Sequence, residues 1–105
     1  MTAQARASAL LSRILDAVEA LGCEVKPCDK YSVRVDGERV PIRAYAPDGG
    51  GAFLYTPAIG LSERYGRRSS FSFDEDAGDD LTALDVPDLA QAIKAYAARE
   101  QSRRP

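Results

Sequence analysis

The sequence predicts an α+β fold, a two-layer sandwich in which an N-terminal helix and a C-terminal helix cover one face of a three- to four-stranded antiparallel meander. Three observations predict it: apolar residues at helical spacing near each end of the chain, an Asp-Gly pair flanked by alternating runs, and an alternating Ser/Phe run further on. At 105 residues, with 45% hydrophobic and 29% charged side chains, the chain fits one ordinary globular domain spanning 1–105.

Leu10, Leu11, Ile14, Leu15, Val18 and Leu21 recur at three- and four-residue steps, which predicts a helix over 2–21. Gly22 stops it, because glycine accepts the left-handed conformation that follows many helix ends. The segment holding Cys23, Pro27 and Cys28 reads as a linker.

Residues 31–45, YSVRVDGERVPIRAY, read as a β-hairpin turning at Asp36-Gly37, a pair suited to positive φ at both positions. That turn sets Val35 opposite Glu38, Arg34 opposite Arg39, Val33 opposite Val40 and Tyr31 opposite Ile42. One face then carries Tyr31, Val33, Val35, Val40 and Ile42, and the other Ser32, Arg34, Arg39, Pro41, Arg43 and Tyr45.

Further strands and loop occupy 52–73. AFLYT at 52–56 is short, apolar and aromatic; 57–66 reads as irregular; the next strand places Ser69, Phe71 and Phe73 on one face and Arg68, Ser70 and Ser72 on the other. Asp85 reads as an N-cap, with Pro87 in the first turn and Asp88 three residues on, opening a helix over 86–99; the tail 100–105 reads as frayed. This helix-strands-helix order shares its outline with double-stranded RNA-binding domains. The last helix, however, opens on Asp85 and Asp88 where that family carries lysines, and the chain has no histidine for the hairpin loop, so the outline alone is shared.

Charge is segregated along the chain although the net charge is only −2. Eleven of the 14 basic residues are arginines, and six of them lie between Arg34 and Arg68, whereas seven acids crowd Asp74 to Asp88. The first 22 residues are broken by Arg6, Arg13, Asp16 and Glu19, unlike the apolar core of a secretory signal, and no stretch approaches the ~20 apolar residues that cross a bilayer. The expected setting is the cytoplasm, with reduced thiols and no membrane partner.

The composition argues against most catalytic chemistry. With no histidine, Ser-His and Cys-His nucleophiles are excluded. Glu24-Val25-Lys26 has the form of a nuclease E-x-K element without an acidic strand partner, and Gly49–Gly51 has no helix start behind it to bind phosphate. Cys23 and Cys28 form one hook without a second, so a structural zinc site is not expected. Read as a calcium loop from Asp74, the acidic run offers Asp76 and Asp85 at the third and twelfth positions, but its glycine comes one place early and no closing Glu follows. No catalytic residue, metal site or cofactor is expected.

What remains is binding. Arg34, Arg39, Arg43 and Tyr45 share the predicted open face, and Arg64, Arg67 and Arg68 extend it if the later strand joins the same sheet. Arginines placed opposite one another repel, so a bound anion, an acidic protein partner or the chain's own acidic loop (Asp74, Glu75, Asp76, Asp79, Asp80) is needed to offset them. The bland alternative is a solvated face with its arginines splayed into water, and a mobile acidic loop before an acid-capped helix. The expectation is a small non-enzymatic protein-binding module, comparable to inhibitors, immunity proteins and adaptors of phages and mobile elements. A nucleic-acid-binding domain using the same arginines is the alternative, and a homodimer is compatible with either.

Overall fold

The computed structural model describes residues 2–46, 53–61 and 85–103 and the backbone of 70–72. It is an α+β fold with a helix at each end and antiparallel strands between them. In chain order the elements are α1 (Ala3–Ala20), β1 (Val25–Asp29), β2 (Ser32–Val35), β3 (Glu38–Pro41), β4 (Arg43–Tyr45), β5 (Phe53–Tyr55), a 3-10 helix (Pro57–Leu61), β6 (Ser70–Ser72) and α2 (Val86–Ser102).

The helix ends follow from local chemistry. Thr2 Oγ1 accepts a hydrogen bond from the Ala5 N–H at 3.1 Å, satisfying one of the donors that a helix start leaves without a partner. Gly22, at φ +91°, closes α1 as its N–H donates to the Glu19 carbonyl at 2.9 Å. Asp85 caps α2 through its side chain, which accepts from the Asp88 N–H at 3.0 Å. The expected frayed tail is corrected in part: α2 continues to Ser102 because the end of the helix has a tertiary contact. Gln101 Nε2 donates to the Asp36 carbonyl at 3.0 Å.

The strands form two three-stranded antiparallel sheets, ordered β1-β2-β3 and β4-β5-β6, separated only by Ile42 between β3 and β4. The segment expected to be a linker is strand β1, which pairs with β2 at Val25↔Val35, Lys26↔Arg34 and Pro27↔Val33 before a bulge precedes Asp29↔Ser32. Pro27 lacks an N–H, and an edge strand tolerates that loss; local pattern therefore hides this strand from a sequence reading.

The β2–β3 register is the one the Asp-Gly turn dictates, with Arg34↔Arg39, Val33↔Val40 and Val35↔Glu38. Asp36 and Gly37 adopt φ +51° and +85°, the two positive values of a tight hairpin turn. The turn is also a tertiary joint. The Asp36 N–H donates to the Glu24 carbonyl and Asp36 Oδ1 accepts from the Glu24 N–H, each at 2.8 Å.

Tyr31 departs from the expected core face and is 45% exposed. Lys30 and Tyr31 form the turn between β1 and β2, where the Tyr31 N–H donates to Asp29 Oδ1 at 2.8 Å, so strand alternation begins only at Ser32. In the second sheet, Ala44↔Leu54↔Phe71 and Tyr45↔Phe53↔Ser72 are in register. The stretch after β5 is more ordered than expected: buried Thr56 starts the 3-10 helix, its hydroxyl accepting from the Ala58 N–H at 3.3 Å, and Ala58 and Ile59 are buried. Residues 62–69 and Phe73 lie outside the described residues.

The core lies between the helices and the inner faces of the strands. Ala7, Leu10, Ile14 and Val18 of α1 and Leu89, Ala90, Ile93 and Ala97 of α2 meet Val35, Val40, Ile42 and Leu54. Burying each large aliphatic side chain stabilises the fold by about 1.5–3 kcal/mol. Among the described residues the fully buried core is aliphatic apart from Thr56, with no aromatic side chain in it; Cys23 is nearly buried beside it and Tyr96 packs at its margin.

Candidate interaction surface

Alternation runs unbroken from β3 through Ile42 into β4. Val40 and Ile42 are buried, while Arg39, Arg43 and Tyr45 project to the opposite side. The outer faces of the two sheets therefore form one continuous surface, the side that α1 and α2 leave uncovered.

On the first sheet this surface carries a row of cations. The register sets Lys26, Arg34 and Arg39 abreast on β1, β2 and β3, all exposed. With strands about 4.8 Å apart, the row is about 10 Å long. Arg34 and Arg39 were expected here; Lys26 was not, because its place depends on β1 being a strand. Each cation has a modest internal partner. Lys26 Nζ lies 3.4 Å from Glu24 Oε1, Arg39 Nε lies 3.6 Å from Asp29 Oδ2, and Arg34 Nη1 donates to the Gly37 carbonyl at 3.1 Å.

Asp29 therefore serves two groups. Its carboxyl is held below the usual carboxylate range, first by the Tyr31 N–H it accepts and further by Arg39. The Ser32 hydroxyl contributes in the same direction, although its buried Oγ falls short of good hydrogen-bond geometry.

The second sheet carries aromatics. Arg43↔Tyr55 and Tyr45↔Phe53 are cross-strand pairs, so all four side chains share the outer face. The Arg43 guanidinium lies 4.7 Å from the Tyr31 ring centroid and 4.4 Å from that of Tyr45, and Tyr45 stacks on Phe53 at 5.6 Å. Lys30 Nζ lies 5.5 Å over the Tyr31 ring. The result is a ladder from Lys30 through Tyr31, Arg43 and Tyr45 to Phe53, which fixes rotamers that would otherwise be free. Tyr55, 39% exposed, stands beside it.

Of the residues the sequence singled out, the structure brings Arg34, Arg39, Arg43 and Tyr45 onto one surface. Arg64, Arg67 and Arg68 and the acidic residues Asp74, Glu75, Asp76, Asp79 and Asp80 lie outside the described residues. Sequence reasoning missed Lys26, Tyr31, Phe53 and Tyr55. A signal existed for the last two: in AFLYT, Phe53 and Tyr55 alternate with buried Leu54.

Both cysteines are free thiols. Burial, followed by the neighbouring Asp36 carboxylate, pushes the Cys23 thiol up from its ordinary value. Among the described residues no cluster of three or more His, Cys, Asp or Glu side chains is arranged to hold a metal ion, and no helix is long and apolar enough to cross a membrane. Comparison with protein-family models, with curated proteins and with solved structures finds no match to this chain.

Proposed function

We propose that this chain is a small non-enzymatic protein-binding module, acting in the cytoplasm, whose partner docks on the outer sheet face around Tyr31, Arg43, Tyr45, Phe53 and Tyr55. One observation carries the reading: among the described residues four aromatic side chains, Tyr31, Tyr45, Phe53 and Tyr55, stand on the outer sheet face, and Tyr96 alone packs against an otherwise mostly aliphatic core. Aromatic residues supply much of the apolar area of ordinary cores, and Tyr and Arg dominate the energetics of protein interfaces. A chain that keeps these rings half-exposed on a sheet face, held in place by an arginine, presents a preorganised contact surface.

Nucleic-acid binding is the second reading, favoured by the cations Lys26, Lys30, Arg34, Arg39 and Arg43 on the same face. Two features weigh against it. The Tyr31 and Tyr45 rings are already engaged by Lys30, Arg43 and Phe53, which limits stacking with bases, and Glu24 and Asp29 place negative charge beside the row.

Selection of displayed peptides on the immobilised protein tests the proposal. Peptides recovered on the native chain are expected to lose binding to the Tyr45→Ala/Tyr55→Ala variant while the variant's circular dichroism is unchanged. Recovered peptides that bind both proteins equally would place the site elsewhere. Tight binding of a single-stranded oligonucleotide, weakening steeply as salt rises, would instead favour the second reading.

A further inference from the structure

We infer that the outer face is held partly neutralised by its own carboxylates in the free protein, and that it takes an extended acidic segment whose carboxylates displace Asp29 from Arg39. This rests on the protein-binding reading and names the chemistry of the partner. The register fixes Lys26, Arg34 and Arg39 in a row across three strands, and neighbouring like charges on one face of a sheet are unfavourable. Among the described residues this is offset only in part. Asp29 and Glu24 meet Arg39 and Lys26 through pairs that remain about half or more exposed, with side-chain exposures of 50% and 52% in one pair and 66% for both members of the other. Arg34 has a backbone carbonyl as its partner.

Exposed pairs of this kind contribute about 0–1 kcal/mol, so an incoming carboxylate exchanges with them at little cost. The counter-charges act as built-in competitors. Asp29 stays ionised because the Tyr31 N–H is aimed at it, and its occupation of Arg39 is therefore present whenever the partner arrives.

The occupant follows from charge and spacing. A second copy turned face to face about a two-fold axis through the row would set Lys26, Arg34 and Arg39 against their own counterparts, so this surface selects an anionic partner over itself. In an extended segment, side chains on one side repeat about every 6.7 Å. Two acidic residues at alternate positions cover most of the ~10 Å row, and the long Lys and Arg side chains close the remainder. The aromatic group of Tyr31, Tyr45, Phe53 and Tyr55 lies beside the row and receives an apolar residue of the same segment.

The experiment uses a fluorescent peptide of alternating aspartate and glycine with one central leucine, read by anisotropy against the full chain at low and at moderate salt. Asp29→Asn is the informative variant: the asparagine oxygen still accepts from the Tyr31 N–H, keeping the turn, while the charge that competes for Arg39 is gone. Affinity should rise about two- to fivefold in Asp29→Asn, the range available to one exposed ion pair. Binding should fall by at least that factor in Arg34→Gln/Arg39→Gln, and an asparagine version of the peptide should not bind.

If Asp29→Asn leaves the affinity unchanged or lowers it while its circular dichroism is native, Asp29 is not a competitor and the inference fails. If displayed peptides bind in a Tyr45/Tyr55-dependent way but carry no acidic residues, the acidic partner is wrong and the protein-binding reading stands. If no peptide depends on the face, that reading fails as well. Stronger binding of an oligothymidine strand than of the acidic peptide would overturn both.

Discussion

The inner and outer faces of the same strands are built to opposite rules. Inward, Val35, Val40, Ile42 and Leu54 are buried against α1 and α2, with the buried side chain of Glu38 at the end of β3 beside Val35. Outward, from residues that alternate with those, come Lys26, Arg34, Arg39, Arg43, Tyr45, Phe53 and Tyr55. An outer face with no task would carry small polar or mixed-charge residues, which cost little in water. This one sets three cations abreast, only partly offset by Glu24 and Asp29 among the described residues, beside half-exposed rings, and that arrangement is the physical reason the proposed docking surface is placed here.

The sharpest way to break the contrast is to cut into the inner face. Leu54→Ala should destabilise the fold by about 2–5 kcal/mol, read as a lowered denaturant midpoint, because a fully buried side chain leaves a cavity. A loss under about 1 kcal/mol would mean that the second sheet is not part of the common core.

The turn that sets both faces should come next. Gly37→Val forces a β-branched residue to φ +85° and should cost about 1–3 kcal/mol in the same assay. Unchanged stability there would undermine the register, and with it the assignment of every side chain to a face.

Tyr45→Ala tests the outer ladder. It removes the stacking with Phe53 and the ring under Arg43, and should cost about 1 kcal/mol of stability while lowering partner affinity by more. A stability loss as large as that of Leu54→Ala would make Tyr45 a core residue. Smallest is Arg34→Gln/Arg39→Gln, where relief of repulsion should leave stability within a few tenths of a kcal/mol or slightly raise it. A loss of several kcal/mol would show that the arginines clamp the fold.

A pH titration sharpens the role of Asp29. Its pKa is lowered in the folded chain, so its stabilising contribution is present above the unfolded-state value and is lost as pH falls through the folded value, below the ordinary carboxylate range. The small drop in stability expected on acidification should therefore lose its Asp29 part in Asp29→Asn. Identical acid profiles for the two proteins would remove Asp29 from the list of native-state charges.

What the sequence by itself determined was local. The helix faces follow from spacing, the caps at Thr2 and Asp85 from short polar side chains beside free N–H groups, and the β2–β3 register from an Asp-Gly pair that only a tight turn suits. That turn placed Arg34 opposite Arg39, and alternation carried Arg43 and Tyr45 to the same side. Tertiary structure decided the rest, because strand pairing across long separations has no local code. VKPCD has a proline and no clean alternation, and it becomes β1 only when β2 offers an edge and Asp36 makes two hydrogen bonds to the Glu24 backbone, one through its own N–H and one through its carboxylate. Once it does, Lys26 joins the cation row and Asp29 reaches Arg39. The partnership of Arg43 with Tyr31 and Tyr55 likewise depends on how two separate hairpins meet at Ile42, a matter of packing that no short window of residues contains.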